Sequence, residues 1–197
     1  MKTVHLIYMA AGNSRRFGSN KLLHKLAGKE LYKYGYEVIK EVAKNQDLYR
    51  TNLTVVTQFD EVSDYVTADG GNVVMSPMSE LGVSYTIKAG IGEVQKSLDA
   101  GDYLLFMVAD QPYIKAESIN RLIAEVVKKG AAGGMLTKGG KGGNPCMFRA
   151  DLVPELEQLS GDEGGKKVLK NHQYMCVEAV DTCELTDIDT VSDIEKL

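Results

Sequence analysis

The sequence predicts an α/β fold, a three-layer sandwich around a mostly parallel, Rossmann-like sheet with any mixed pairing at its edge. Three observations point there. Short apolar runs alternate with amphipathic stretches; the first run is apolar almost throughout, as a strand buried on both faces must be; and turn residues punctuate the ends of the runs.

The elements follow in order. Thr3-Val4-His5-Leu6-Ile7-Tyr8-Met9 reads as a buried parallel strand and runs directly into Ala10-Ala11-Gly12-Asn13-Ser14, a loop. From Leu31 onward, Tyr34, Val38, Ile39 and Val42 recur at helical spacing with Lys33, Glu37, Lys40 and Glu41 opposite, an amphipathic helix. Tyr32, Tyr34 and Tyr36 point to different sides of such a helix, which suits packing better than a stacking platform. Leu53-Thr54-Val55-Val56-Thr57 is β-branched and strand-like, a charged, turn-rich stretch follows, and Asn72-Val73-Val74-Met75 forms another strand before Ser76-Pro77. Ile87, Ile91 and Val94 place a helix over 84–97, and 103–109 is the most strand-like run, ending at Asp110-Gln111-Pro112. A helix over 117–129 follows from Ile119, Leu122, Ile123 and Val126, and 131–137 returns to the sheet. Gly139-Gly140-Lys141-Gly142-Gly143 reads as a mobile loop beside a site. A short strand at Cys146-Met147-Phe148, helices over 152–159 and 165–171, a strand near 175–180 and a closing helix complete the series. No repeat or linker divides the chain, so one domain over 1–197 is expected.

Composition narrows the function. Of 197 residues, 44 % are hydrophobic, enough for a real core, and 23 basic against 27 acidic residues leave a charge of −4. Such a chain has no basic field to hold a nucleic-acid backbone. No stretch approaches the ~20 apolar residues of a bilayer span, and the first residues do not read as a cleavable leader, so a cytoplasmic protein without membrane partners is expected. Cys146, Cys176 and Cys183 lack the spacing of a disulfide framework or zinc site and read as small buried or half-buried thiols. His5, His24 and His172 show no ligand spacing, and His5 reads as a satisfied core or edge histidine.

In a parallel sheet, ligands sit at the carboxyl ends of the strands, which directs attention to two loops. After strand one, small residues let the backbone approach a ligand, their amides can cradle phosphate oxygens, and Arg16 and Lys21 supply cations. It is neither a Walker A loop nor a dinucleotide fingerprint, and by itself the pattern also suits an ordinary surface turn. Asp110, just beyond an apolar strand, stands where Mg²⁺ would be held against phosphate; the same aspartate could equally cap a turn before Pro112.

Taken together, the A-A-G-x-S-x-R-x-G-x-x-K loop of 10–21, Gly82-Val83-Ser84 opening a helix, Ala109-Asp110-Gln111-Pro112, Gly143-Asn144-Pro145 and Gly161-Asp162-Glu163-Gly164 resemble the MobA-like NTP transferases, with the greatest likeness to their molybdenum cofactor cytidylyltransferases. The matches fall in order across about residues 4–194. The resemblance implies a sheet of the nucleotide-diphospho-sugar transferase type and an enzyme, transferring CMP from CTP to the phosphate of a molybdopterin-type cofactor with release of pyrophosphate. It further implies that Ala10, Ala11 and Gly12 contact base and ribose, that Ser14 belongs to the nucleotide loop, and that Arg16 and Lys21 hold the phosphates. Gly82, Ser84 and Lys88 would lie on the nucleotide side, and Asp110 would coordinate Mg²⁺. The acceptor would meet Gly143, Asn144, Pro145, Gly161 and Asp162. Ala11 goes with cytidine in this family, where glycine goes with guanosine; a methyl is worth ~1–3 kcal/mol of such discrimination.

Asp187-Ile188-Asp189-Thr190 with Asp193 resembles the family's closing acidic motif, although Thr190 followed by Asp193 is also a capping box in form. Lys88 replaces the family's arginine and loses a two-pronged donor, Tyr85 replaces a small residue, and Asn144 replaces a histidine and cannot titrate. These departures lie away from the phosphate loop. They leave two alternatives: transfer to another phosphorylated acceptor, such as a sugar or polyol phosphate, or a non-catalytic nucleotide- or pterin-binding delivery module, with a molybdoenzyme or a chaperone as partner.

Overall fold

The computed structural model describes residues 1–14, 17–44, 49–190 and 192–193. Strand β1 (Thr3–Ala10) is followed by a minimal hairpin, β2 (Lys25–Leu26) and β3 (Lys29–Glu30), and by helix α1 (Leu31–Lys44). Then come β4 (Arg50–Thr57), α2 (Asp60–Ala68), β5 (Asn72–Met75), α3 (Val83–Val94), β6 (Tyr103–Val108) and α4 (Ala116–Lys129). The last third adds β7 (Gly133–Lys138), β8 (Lys141–Arg149), α5 (Val153–Leu156), α6 (Lys166–Leu169) and β9 (Met175–Glu178).

Seven strands form one sheet in the order β5-β4-β1-β6-β8-β7-β9. All pairs are parallel except those made by β8, which runs antiparallel to both β6 and β7. The sheet is mostly parallel, as expected, but its antiparallel strand sits inside it. Alternation along β1 explains the layers. Val4, Leu6 and Tyr8 join a core with Tyr36, Ile39, Val62 and Leu122 of α1, α2 and α4, whereas Ile7 and Met9 join a second core with Ile87, Ile91, Leu156 and Leu169 of α3, α5 and α6. Both faces of β1 are therefore covered, which is why its sequence is apolar throughout. No helix among the described residues is long and apolar enough to cross a membrane.

Several expectations need correction. The turn-rich stretch after β4 is helix α2, which buries only Val62 and Val66 and so shows little apolar periodicity. The glycine run at 139–143 is not a loop: Gly139 and Gly140, at φ +54° and +75°, form the two-residue turn of the β7–β8 hairpin, and Gly142 and Gly143 lie within β8. A side chain on Gly142 would meet the Met135 sulfur at 2.3 Å, so these glycines serve close packing. Cys146 is buried, but Cys176 and Cys183 are exposed. His5 is fully buried, yet neither ring nitrogen has a hydrogen-bond partner. Its neighbour Asp102, 3.6 Å away, accepts instead from the amides of Thr3 and Asp99. The expected closing helix lies largely outside the described residues.

Candidate active site

The order β4-β1-β6 makes β1 the strand from which the chain departs in both directions, and a crevice opens beyond the carboxyl ends of β1 and β6. A cleft of about 390 Å³ lies there, bordered by Ala11, Gly12, Ser14, Lys21, Asp110 and Asp189 among others.

The loop after β1 is braced from neighbouring strands. Thr57 Oγ1 donates to the Ala10 carbonyl at 2.8 Å, and Gln58 Nε2 donates to the Ala11 carbonyl at 2.6 Å and to Asn13 Oδ1 at 3.0 Å. Asn13 in turn donates to the Glu80 carbonyl at 2.7 Å. Ser14 adopts φ +51°, a turn that non-glycine residues adopt reluctantly, and its hydroxyl accepts the Lys21 amide at 3.0 Å. The loop is thus closed around Ser14, and Lys21 returns to the strand end. Arg16 lies outside the described residues.

Lys21 is the centre of the charge cluster. Only 6 % exposed, it donates to Asp110 Oδ2 at 2.8 Å and to Asp189 Oδ1 at 3.1 Å. Burial pushes its pKa down, but the two carboxylates outweigh burial and hold it above the ordinary lysine value, so Lys21 stays charged. Asp110 Oδ1 is buried without a hydrogen-bond partner. Nearby, Gln111 Nε2 donates to Asp187 Oδ1 at 2.8 Å, and the Ile188 amide donates to the Asp110 carbonyl at 2.9 Å, tying the 187–189 segment to the β6 end. Desolvation first, and the charge of Asp110 second, raise the Asp187 pKa even though the residue as a whole stays exposed.

This donor set suits a hard divalent cation. An orphaned carboxylate oxygen and two carboxylates meeting on one ammonium are the ligand chemistry of Mg²⁺ or Mn²⁺, which complete their shells with phosphate oxygens and water. Among the described residues no group of three or more acidic, histidine or cysteine side chains could hold a metal ion alone.

The remaining site residues distribute unevenly. Gly82, at φ +136°, packs so tightly on the second glycine turn that a Cβ would lie 2.3 Å from the Gly161 carbonyl, and the Ser84 amide donates to that carbonyl at 3.1 Å. The two turns, expected on separate substrates, therefore form one wall, and Asp162 borders the same cleft as Asp110. Ser84 is fully buried with its hydroxyl unpartnered, while Lys88 lies over the Tyr85 ring, 5.7 Å from its centroid, and borders neither this cleft nor its neighbour. Asn144 borders that second cleft, which adjoins the first across Met9, Val83 and Val108. Thr190 and Asp193 do form the capping arrangement, the Thr190 amide donating to Asp193 Oδ2 at 2.8 Å.

Sequence reasoning missed the braces. Gln58 could have been suspected as the residue just past β4 on the crevice side. Glu184 gave no signal: fully buried, it accepts from Ser118 Oγ at 2.9 Å and from the amides of Lys115 at 3.0 Å and Asp181 at 2.7 Å, anchoring the segment that carries Asp187 and Asp189 to the start of α4.

Comparison with known proteins agrees with this geometry. The chain is 27 % identical over 204 residues to the purine catabolism protein PucB of Bacillus subtilis (strain 168), covering 96 % of this chain and 94 % of PucB. Its fold matches the crystal structure of the Rv0371c complex with manganese from Mycobacterium tuberculosis H37Rv, with a TM-score of 0.73 at 20 % identity over 100 % of this chain and 98 % of that one. It also matches the molybdopterin-guanine dinucleotide biosynthesis protein A of Archaeoglobus fulgidus, with a TM-score of 0.70 at 16 % identity over 98 % and 95 % of the two chains. The sequence profile of the MobA-like NTP transferase domain matches residues 6–176, so the chain, with its nucleotide-sized crevice and its lysine–carboxylate cluster, belongs to the MobA-like nucleotidyltransferases.

Proposed function

We propose that the protein is a magnesium-dependent cytidylyltransferase that moves CMP from CTP to the phosphate of a molybdopterin-type cofactor. The observation that carries the reading is the meeting of Lys21, Asp110 and Asp189 at the crevice beside Ala11 and Gly12, with one Asp110 oxygen unpartnered. Ala10-Ala11-Gly12 supports cytidine. The name of the archaeal neighbour supports a pterin acceptor, and the manganese complex of the mycobacterial neighbour supports a divalent cation.

In this reading a phosphate oxygen of the acceptor attacks the α-phosphorus of CTP in line. A new P–O bond forms as the bond from the α-phosphorus to the bridging oxygen breaks, and pyrophosphate leaves with the electron pair. The chain contributes position and charge, and no residue is covalently modified. Lys21, kept protonated by its carboxylates, exchanges one of them for a phosphate oxygen of the nucleotide, and Arg16 adds a second cation. A cation held by Asp110 and Asp189 would neutralise charge developing on the transferred phosphoryl oxygens. Gln58 and Asn13 hold the loop rigid so that its backbone can lie against base and ribose.

The test is pyrophosphate release with CTP, GTP, ATP or UTP, each paired with a molybdopterin, a sugar phosphate or a polyol phosphate, with Mg²⁺ or with chelator. Release that needs CTP, pterin and metal is expected. Turnover with a sugar or polyol phosphate instead would reassign the acceptor, and silence with every pair, alongside retained CTP binding, would favour the non-catalytic carrier.

A further inference from the structure

A third cleft opens at the far end of the sheet from the crevice. About 390 Å³ in volume, it lies against the amino-terminal halves of β1 and β4 and the start of β5, lined by His5, Asn52, Thr54, Asn72, Glu93 and Ser97 among others. Parallel pairing of His5 with Asn52 and of Thr54 with Asn72 puts these four on the sheet face that α3 covers, and Glu93 stands near the end of that helix. The lining is rich in acceptors. His5 is fully buried, and Asp102, 3.6 Å from its Nε2, does not border the cleft. Burial outweighs that carboxylate and keeps the imidazole neutral, while the carboxylate favours the tautomer with its proton on Nε2; Nδ1, which has no partner, keeps a lone pair. Asn72 spends its amide hydrogens on Glu93 Oε1 at 3.0 Å and Thr54 Oγ1 at 3.2 Å, which leaves its carbonyl oxygen, and the Ser97 hydroxyl donates to the Val94 carbonyl at 3.1 Å. Among the described residues Glu93 brings the lining its one carboxylate, and no lysine or arginine borders it.

We propose that this cleft binds a small aliphatic diamine or polyamine cation, with one amine on Glu93 and Asn72 and another on His5. Acceptors without a neighbouring cation favour N–H donors and disfavour phosphates and carboxylates. No aromatic ring other than His5 borders the cleft, so a heterocycle would find little to stack on. His5 and Asn72 lie on strands two apart, about 10 Å at the usual strand spacing, whereas a metal ion holds its ligands at about 2.0–2.6 Å. One ion cannot join them; a short chain with an amine at each end can, its methylenes lying over Val94. The site stands apart from the crevice, because α3 separates them: Val83 at its start borders the crevice, and Glu93 and Val94 at its end border this cleft. Neither the site nor its chemistry depends on nucleotidyl transfer.

The test is NMR titration of the imidazole signals of the whole chain, which has only three histidines, with 1,4-diaminobutane. Butylamine, succinate and Zn²⁺ alone serve as comparisons, in wild type, Glu93→Gln and Asp110→Ala. Expected is a saturable shift of His5, not of His24 or His172, with diaminobutane; affinity at least ten-fold lower for butylamine and in Glu93→Gln; no shift with succinate; and less than a two-fold change in Asp110→Ala. Glu93 is exposed and glutamine keeps an oxygen for Asn72, so the variant should fold, which its thermal midpoint verifies. No His5 shift with diaminobutane, equal affinity in Glu93→Gln, a response to succinate of similar strength, or a tighter response to Zn²⁺ alone overturns the proposal. Pyrophosphate release is measured separately, so its failure would strike the proposed reaction and leave this site untouched.

Discussion

The two adjoining clefts share three residues and almost nothing else. The first sets Asp110 and Asp189 on one buried lysine with Asp162 also on its lining, while the second sets three lysines over an apolar floor with no carboxylate among the described residues that line it. A triphosphate is itself anionic, so an acidic cleft can receive it only with cations, whether from Lys21, Arg16 or a metal. A cationic cleft binds an anion directly. The contrast teaches how one crevice can carry opposite charge in its two halves: acidic groups around a buried lysine in one, lysines over apolar side chains in the other.

Substitutions can break this division in decreasing order of effect. Asp110→Ala removes the proposed metal ligand from the first cleft alone and is expected to lower turnover by about 10³-fold or more, ~4 kcal/mol, measured by pyrophosphate release with the fold checked by circular dichroism. Gly82→Ala strikes the contact between the two glycine turns, because its Cβ would sit 2.3 Å from Gly161 at φ +136°; denaturant unfolding should show a loss of about 3 kcal/mol, and an unchanged midpoint would mean the turns can separate freely. Glu184→Gln leaves a buried backbone donor facing an amide and loosens the 187–189 segment. It should destabilise by about 2 kcal/mol and weaken metal-dependent CTP binding while sparing pterin binding. At the amino-terminal end of β1, far from either of these clefts in the strand, His5 should affect stability but not turnover. Desolvation, the largest influence, depresses its folded pKa despite the opposing charge of Asp102. The unfolded chain therefore takes up the proton first, and stability should fall as pH drops below about 6.5, a slope that His5→Leu flattens in melts between pH 7 and 5.

Much of this architecture was legible in the residues. Apolar runs marked β1 and β6, and the period of 3.6 marked α1, α3 and α4, because each of these elements buries a wide face. Helix α2 escaped because only Val62 and Val66 are buried on it. The glycines of 139–143 misled because a run of small residues reads as slack chain, whereas two of them make a hairpin turn and two make room for Met135 and Leu185. In the site, Lys21 and Asp110 were identifiable by type and by place after strand ends. The α6 lysines were not, for nothing in their spacing distinguishes a cleft rim from a solvated face.

The sequence by itself determined which segments enter the sheet and which loops follow them, since those depend on local periodicity and turn chemistry. The tertiary structure alone decided which charges meet. Lys21 finds Asp110 across 89 positions and Asp189 across 168, and both contacts depend on β6 pairing with β1, with the 187–189 segment returning to the β6 end. Strand order arises from the packing of all the helices against both faces at once, and no single stretch of the chain encodes it.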